Sequence, residues 1–366
     1  MLITLFYMIT NHSKKKVFID LNHPADFHFF KYLIKRMEDK GCSIMVVARD
    51  KECLHSLLDE AGINYISRGR GKHNLAGKYL YAVWILMQLL VLLTRFRPGI
   101  AMSLSSPYLS ILSRFLGITC VTYDDTDYNP RLLPLIKKST YLLSPATYPY
   151  KFHDNHFHLP ALKELAYLHP AFFKSELERT GVFFRLTRTD SIHHSTASML
   201  NQNLVIEKMK NMSPHYKIFL SSELDLKLQS INSIKQADTI QIHRDLASCR
   251  VFWGNSATMA AEAAVLGIPA IFVSAEKFAY INELEACGLL YYYHPDHLNA
   301  SFKKLDSILA DNPPSNQFQE FHKSLLKEKI NMTSFMEWFI ENIPNNARIL
   351  REDPAYALRF ISDTLE

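Results

Sequence analysis

Three clusters in this 366-residue chain hold side chains suited to chemistry. The first runs from Gly254 through Asn255, Ser256 and Thr258 to Glu262. A strand that ends at a glycine and passes into a helix capped by Asn255 or Ser256 leaves first-turn amides facing whatever anion lies ahead of them. Thr258 and Glu262 are four residues apart and share a face one turn further on. The carboxylate is then placed to accept hydrogen bonds from both hydroxyls of a ribose whose diphosphate sits at the helix start. A capped core helix whose Glu262 merely meets a basic partner has the same pattern. Against that, a carboxylate among Ala260, Ala261, Ala263 and Ala264 is costly to bury without hydrogen bonds.

The second cluster, Asp124-Asp125-Thr126-Asp127, is the densest run of carboxylates in the chain. Asp125 and Asp127 have the D-x-D spacing of a cation site, and neighbouring acids also raise one another's pKa and so yield a general base. An acidic loop capping the next helix has the same composition. The third cluster is His23 with His28. An imidazole accepts a proton near neutral pH, whereas a loop histidine serves equally well as a helix cap. His28 sits beside Phe27, Phe29 and Phe30, company that implies burial. His153, His156 and His158 lack a nearby cysteine and fit no standard zinc spacing, so they are read as a polar loop and no metal is assigned. Arg68, Arg70, Lys72 and His73 are read as a solvated basic loop, although a phosphate or an anionic lipid would suit them.

The elements that must position these residues follow from composition and pattern. The chain has 11 glycines and neither G-x-G-x-x-G nor G-x-x-x-x-G-K-[ST], which disfavours Gly-rich phosphate loops. Its charge of +5 comes from 41 basic and 36 acidic residues, three of them Lys14, Lys15 and Lys16, so a nucleic-acid-binding face is not expected. Five widely spaced cysteines without C-x-x-C point to a reducing compartment. From Lys16 onward short apolar runs alternate with helical patterns, as a parallel α/β sheet requires. Strands are expected at 17–21, 43–48, 63–66, 99–102, 118–123 and near 141, then at 182–186, 216–220, 251–253 and 270–273. The expected division is an extension over 1–15, a first Rossmann-like domain over 16–145, a linker over 146–175, a second such domain over 176–345 and a C-terminal helix over 346–366. Two such halves place a ligand in the cleft they face, beyond the carboxyl ends of the strands.

Two stretches raise the question of a membrane. Residues 1–10 are apolar at eight of ten positions, but the lysines follow the apolar run instead of preceding it as in a signal peptide. They are read as a dispensable extension, with Met8 as an alternative start. Gln88 is the only polar residue among the fifteen from Tyr79 to Leu93, with Lys72, Lys78, Arg95 and Arg97 at the flanks. The stretch is shorter than a bilayer span. A buried α/β helix and a monotopic surface helix both fit it.

The opening Ile19-Asp20-Leu21-Asn22-His23-Pro24-Ala25-Asp26-Phe27-His28-Phe29-Phe30-Lys31 resembles a family of uncharacterised prokaryotic proteins related to GT-B glycosyltransferases and UDP-N-acetylglucosamine 2-epimerases. Lys163-Glu164-Leu165-Ala166-Tyr167-Leu168-His169-Pro170, the pair His193-His194, Ser221-Ser222-Glu223 and the Gly254 to Ala270 segment share the resemblance, which covers about residues 16–300. It implies a GT-B-like α/β fold with a helical tail. It also implies that Glu262 binds the ribose of a nucleotide sugar, with Gly254, Asn255, Ser256 and Thr258 near the diphosphate and Arg185, His193, His194, Ser222 and Glu223 around the substrate. His23 and His28 would lie where a base acts on an acceptor hydroxyl. Asp26 departs from the family pattern, which often has histidine there. Because GT-B enzymes usually need no metal, the resemblance favours the base reading of Asp125 and Asp127.

The expected function is transfer of a sugar from a nucleotide-diphosphate donor to a lipid-linked or saccharide acceptor, in cell-surface polysaccharide or glycolipid synthesis. No cofactor and no nucleic acid are expected. The expected location is cytoplasmic, with peripheral contact at the inner membrane face through Tyr79 to Leu93. A UDP-N-acetylglucosamine 2-epimerase or hydrolase and a non-catalytic nucleotide-sugar binding protein are the alternatives.

Overall fold

The computed structural model describes residues 15–71, 75–126, 133–174, 178–188, 200–224, 234–311 and 316–361. The chain divides into two compact units, Met1–Tyr167 with Asn331–Phe360, and Leu168–Ile330 with Ile361–Glu366.

The first unit runs β1 (Lys16–Leu21), α1 (Pro24–Asp39), β2 (Ser43–Ala48), α2 (Leu54–Glu60), β3 (Tyr65–Ser67), α3 (Leu75–Phe96), β4 (Ile100–Leu104), α4 (Pro107–Leu116), β5 (Thr119–Tyr123), α5 (Leu133–Ile136), β6 (Tyr141–Pro145) and β7 (His156–Leu159). Its sheet has the order β3-β2-β1-β4-β5-β6-β7, with every pairing parallel. Strand β1 buries everything after Lys16, the continuous apolar run expected of a central parallel strand covered on both faces. Helix α4 shows how sequence sets the ends: Ser106 caps it, Pro107 opens it, and Gly117 closes it at φ +67°. On one face of the sheet Ile85, Leu89 and Leu93 of α3 pack with Phe18, Val47 and Ala101.

The second unit runs β8 (Gly181–Leu186), α6 (Gln202–Met212), β9 (Ile218–Ser222), β10 (Ile234–Gln236), α7 (Ile242–Ala247), β11 (Cys249–Gly254), α8 (Ala257–Val265), β12 (Ala270–Val273), α9 (Ala279–Ala286), β13 (Leu290–Tyr293), α10 (Leu298–Ala310) and α11 (Asn316–Glu328). Its sheet has the order β10-β9-β8-β11-β12-β13, again all parallel. Phe184, Trp253 and Phe302 form the centre of its core, and the Trp253 indole N–H donates to Ser301 Oγ at 3.0 Å.

The expected GT-B-like class, two Rossmann-like parallel-sheet domains with a helical C-terminal region, agrees with this architecture. The boundaries differ in two places. The segment read as a linker contains β7 and a buried 3-10 turn at Lys163–Ala166, both in the first unit. Its histidines and aromatics obscured the strand pattern because their rings pack on one another, His156 stacking on Phe152 at 5.4 Å. The tail beyond Asn331 also belongs to the first unit, through α12 (Met332–Glu341) and α13 (Asn345–Glu352). Phe335 and Phe339 of α12 are fully buried, and Glu337 pairs with Arg36 of α1 at 2.8 Å. An amphipathic helix shows that it is buried but not against what.

Candidate functional site

In a doubly wound sheet, ligands bind beyond the carboxyl ends of the strands where strand order reverses. In the second unit that point lies between β8 and β11. Strand β11 ends at Gly254, where an added Cβ would sit 2.5 Å from the Arg185 carbonyl oxygen, so only glycine lets the two strands approach. Asn255 then ties the two loops together: its Oδ1 accepts from Thr187 N at 2.7 Å and its Nδ2 donates to Thr187 O at 3.0 Å. Ser256 caps α8 by accepting from Met259 N at 3.4 Å. Thr258 is half-buried on the first turn. Glu262, one turn on, is buried and lies 3.1 Å from His243 Nε2 on α7. The alternative in which Glu262 meets a basic partner therefore describes an interaction that exists, although the partner is an imidazole on a neighbouring helix.

Beside this point Arg185 donates from Nη1 to Ser221 Oγ at 2.8 Å and from Nη2 to Glu223 Oε1. Glu223 also accepts from Arg188 N through Oε2 at 3.2 Å. Ser222 turns away and closes its own turn, accepting from Leu224 N at 3.0 Å. The Ser-Ser-Glu motif thus contributes its first and third members to the Arg185 cluster. His193 and His194 lie outside the described residues, as does Asp127.

In the first unit the reversal lies between β1 and β4, and a charged network is buried there. Arg68 Nη1 lies 3.1 Å from Asp20 Oδ1, both side chains essentially inaccessible, and Ser106 Oγ donates to Asp20 Oδ2 at 2.6 Å. Arg68 also bonds Asn22 Oδ1. The reading of Arg68 as part of a solvated loop is therefore corrected. It spans the carboxyl ends of β3, β2 and β1, and removing one partner of such a buried pair costs about 3–5 kcal/mol. Asp26 on α1 accepts from Asn22 N at 2.7 Å, and burial pushes its carboxyl up to about 6 against the pull of that hydrogen bond.

His23 caps α1, its Nδ1 accepting from Ala25 N at 3.2 Å. With Nδ1 occupied as an acceptor, the neutral ring carries its proton on Nε2, which faces Glu52 Oε1 at 3.5 Å. That contact holds the Glu52 carboxyl down at about 2. His23 can therefore take up a second proton only at Nδ1, by releasing the helix amide. His28 is buried in a stack with Tyr167, ring centroids 5.4 Å apart.

Within the acidic run the roles divide. Asp125 is buried in a salt bridge to Lys163 at 2.6 Å. Asp124 accepts from Tyr148 OH at 2.6 Å and Ser105 Oγ at 2.5 Å, and burial lifts its carboxyl to about 6, overriding those hydrogen bonds. Ser105 holds a positive φ of 55°, which is strained for a residue with a Cβ and aims its hydroxyl at Asp124. Burial thus raises the carboxyls of Asp124 and Asp26 alike. Sequence patterning pointed instead to Asp125 and Asp127, the second of which lies outside the described residues. The reading of His153, His156 and His158 as a polar loop is corrected, since His156 and His158 lie on β7: His156 Nδ1 accepts from Phe152 N at 3.4 Å, its Nε2 meets Ser144 Oγ at 2.8 Å and burial drops its pKa to about 3, while His158 Nε2 meets Tyr150 O at 2.9 Å.

Residues 15–131 match a family described as "Protein of unknown function (DUF354)". The match agrees with the resemblance seen in the opening motif. No curated protein matches the sequence. Among solved structures, UDP-GlcNAc 2-epimerase from Methanocaldococcus jannaschii in complex with UDP-GlcNAc and UDP is similar with a TM-score of 0.63 and 12% identity, over 90% of this chain and 100% of that one. The S. aureus MnaA–UDP co-structure is similar with a TM-score of 0.65 and 12% identity, over 95% and 98%. Spinosyn rhamnosyltransferase SpnG complexed with thymidine diphosphate has a TM-score of 0.58 and 12% identity, over 88% and 99%. At these identities the likeness is one of fold.

Proposed function

We propose that this chain is a GT-B-type enzyme that binds a nucleotide-diphosphate sugar in its second unit and transfers the sugar to an acceptor hydroxyl bound by its first. The observation that carries this reading is the β11–α8 junction: Gly254 permits close approach, Asn255 and Ser256 fix the turn, and Thr258 and buried Glu262 follow on one helix face. Solved structures of this fold hold UDP or thymidine diphosphate. In this reading α8 stabilises the departing diphosphate, Glu262 accepts the ribose hydroxyls, and Arg185 offsets phosphate charge. His23 takes the acceptor proton at Nδ1, and Glu52 stabilises the imidazolium that forms. The acceptor is a saccharide or lipid-linked hydroxyl in surface polysaccharide or glycolipid synthesis, on the cytoplasmic side of the membrane.

The test is a thermal-shift screen with uridine, thymidine, guanosine and cytidine diphosphates and their sugars. At a hundredfold excess over Kd a true ligand stabilises by about 2.7 kcal/mol, a readily measured rise in Tm. Absence of any shift overturns the donor-site reading. His23→Asn, which keeps a helix cap, is expected to retain Tm and lose turnover, whereas His23→Ala loses both. An active His23→Asn reduces His23 to a cap. The likeness to UDP-GlcNAc 2-epimerase favours a second reading, which release of an epimerised sugar from UDP-N-acetylglucosamine without acceptor would establish in place of the first.

A further inference from the structure

Helix α3 is apolar on every face, yet only one face is covered. Ile85, Leu89 and Leu93 point into the first unit's core, each at most 1% exposed. At 100° per residue the opposite side carries Leu80, Trp84, Met87 and Val91, with Tyr79 and Val83 beside them, and all six are exposed, Leu80 by 70% and Trp84 by 63%. The window Tyr79–Phe96 has a mean hydropathy of 1.7 with 17% of it buried. A contiguous apolar stripe of this kind marks an interaction surface, unlike the singly scattered Tyr150, Leu204 and Ile240 elsewhere.

The charge around the stripe identifies its occupant. No Asp or Glu occurs between Glu60 and Asp124, while Arg68, Arg70, Lys72, Lys78, Arg95, Arg97 and Arg114 all fall there; Arg68 is taken up by buried Asp20, and Arg70, Arg95, Arg97 and Arg114 are exposed. Those seven turn a remainder of 34 basic and 36 acidic residues, net −2, into the chain's +5. Helices α3 and α4 both run from the carboxyl to the amino edge of the sheet, so Arg95 and Arg97 reach the same edge as Arg114 and the exposed Phe115. Pairing with a second copy would set these like charges against one another. An anionic surface complements them, and an apolar one accepts the stripe. Tyr79 and Trp84 are the aromatics favoured at a bilayer's headgroup level. Spanning is excluded by the packing of Ile85, Leu89 and Leu93 against the sheet.

We infer that α3 is a monotopic membrane-docking helix, its Leu80–Trp84–Met87–Val91 face inserted among the lipids of an anionic bilayer and held there by Arg95, Arg97 and Arg114. Because α3 begins at the carboxyl edge of the sheet, docking also brings the strand ends of the first unit toward the headgroups, where, on the proposed function, a lipid-linked hydroxyl would be presented.

The test is co-sedimentation of the full chain, without nucleotide, with vesicles of equal parts phosphatidylglycerol and phosphatidylcholine and with phosphatidylcholine alone. Binding to the anionic vesicles is expected, weakened by salt, and reduced at least about tenfold by Leu80→Gln/Trp84→Gln/Met87→Gln together. Tm should be unchanged, because these side chains are exposed. The tryptophan emission should shift to the blue on binding and lose that shift in Trp84→Phe, which leaves only fully buried Trp253 and half-buried Trp338 of α12 to emit; a shift that survives in that variant would count against insertion of Trp84. Deleting residues 1–14 should leave binding intact. Equal binding by the triple variant, no preference for anionic lipid, loss of binding on deleting 1–14, or a dimer that the triple variant dissociates would each overturn the inference. Since no nucleotide is present, such a failure leaves the donor-site reading standing, and a failed thermal-shift screen leaves this inference standing.

Discussion

The carboxylates at the first unit's strand ends show what local sequence encodes and what it does not. Asp26 titrates near 6 in the fold against an ordinary value of 3.8, chiefly because it is buried. With the folded pKa raised, its favourable contribution is complete below about pH 4 and is lost as pH rises through 6, a difference of roughly 3 kcal/mol for about two units. Asp26→Asn should therefore raise Tm relative to the unsubstituted chain at pH 8, and the gain should shrink at pH 5; paired melts with an equal gain at both would refute this. The acidity of the Asp124 run was legible in sequence, as was the Ser256 cap. That Asp124 would carry the raised pKa while Asp125 met Lys163 was not, because the deciding partners, Tyr148 and Lys163, lie 24 and 38 residues away. Asp20 is the sharper case. Inside Lys16–Leu21 it reads as one polar residue in a strand, and nothing local announces Arg68, 48 residues on.

At the scale of elements, the parallel strands were legible because continuous apolar runs separated by helical periods leave few other folds open. Strand β12 falls at Ala270–Val273, as its apolar run indicates. Strands β10 and β13 were not read in advance: Ile234–Gln236 has three residues, mostly exposed, and Leu290–Tyr293 carries three tyrosines at a half-buried edge. The junction of β11 and α8 depends on a close approach, which sequence indicates only as a glycine. Gly254→Ala would drive a Cβ into the Arg185 carbonyl, a backbone atom that cannot rotate aside. We expect a loss of about 1–3 kcal/mol, seen as a fall in Tm of about 2–12 °C, together with loss of any diphosphate-induced stabilisation. A variant that melts and binds as the parent does would show that β8 and β11 can separate without harm.

At the scale of the molecule, the first unit is assembled from both ends of the described chain. Met332, Phe335, Met336, Phe339 and Ile340 of α12 are all at most 1% exposed. At roughly 1.5–3 kcal/mol for each side chain, their burial rivals the 5–15 kcal/mol net stability of a typical domain. Truncation after Ile330 is therefore expected to leave residues 16–167 open to limited proteolysis while fragments from 168–330 persist, as mass spectrometry of the digest would show. Equal resistance of both segments would count against it. Sequence showed a helical tail but not its partner, since an apolar face carries no address. The same connectivity sets an order of assembly during synthesis. Residues 168–330 are all made before 331–360, so the second unit can finish folding while the first still waits for α12. Until then the α1 face that α12 will cover stays open, a stage at which a nascent chain would depend on chaperones.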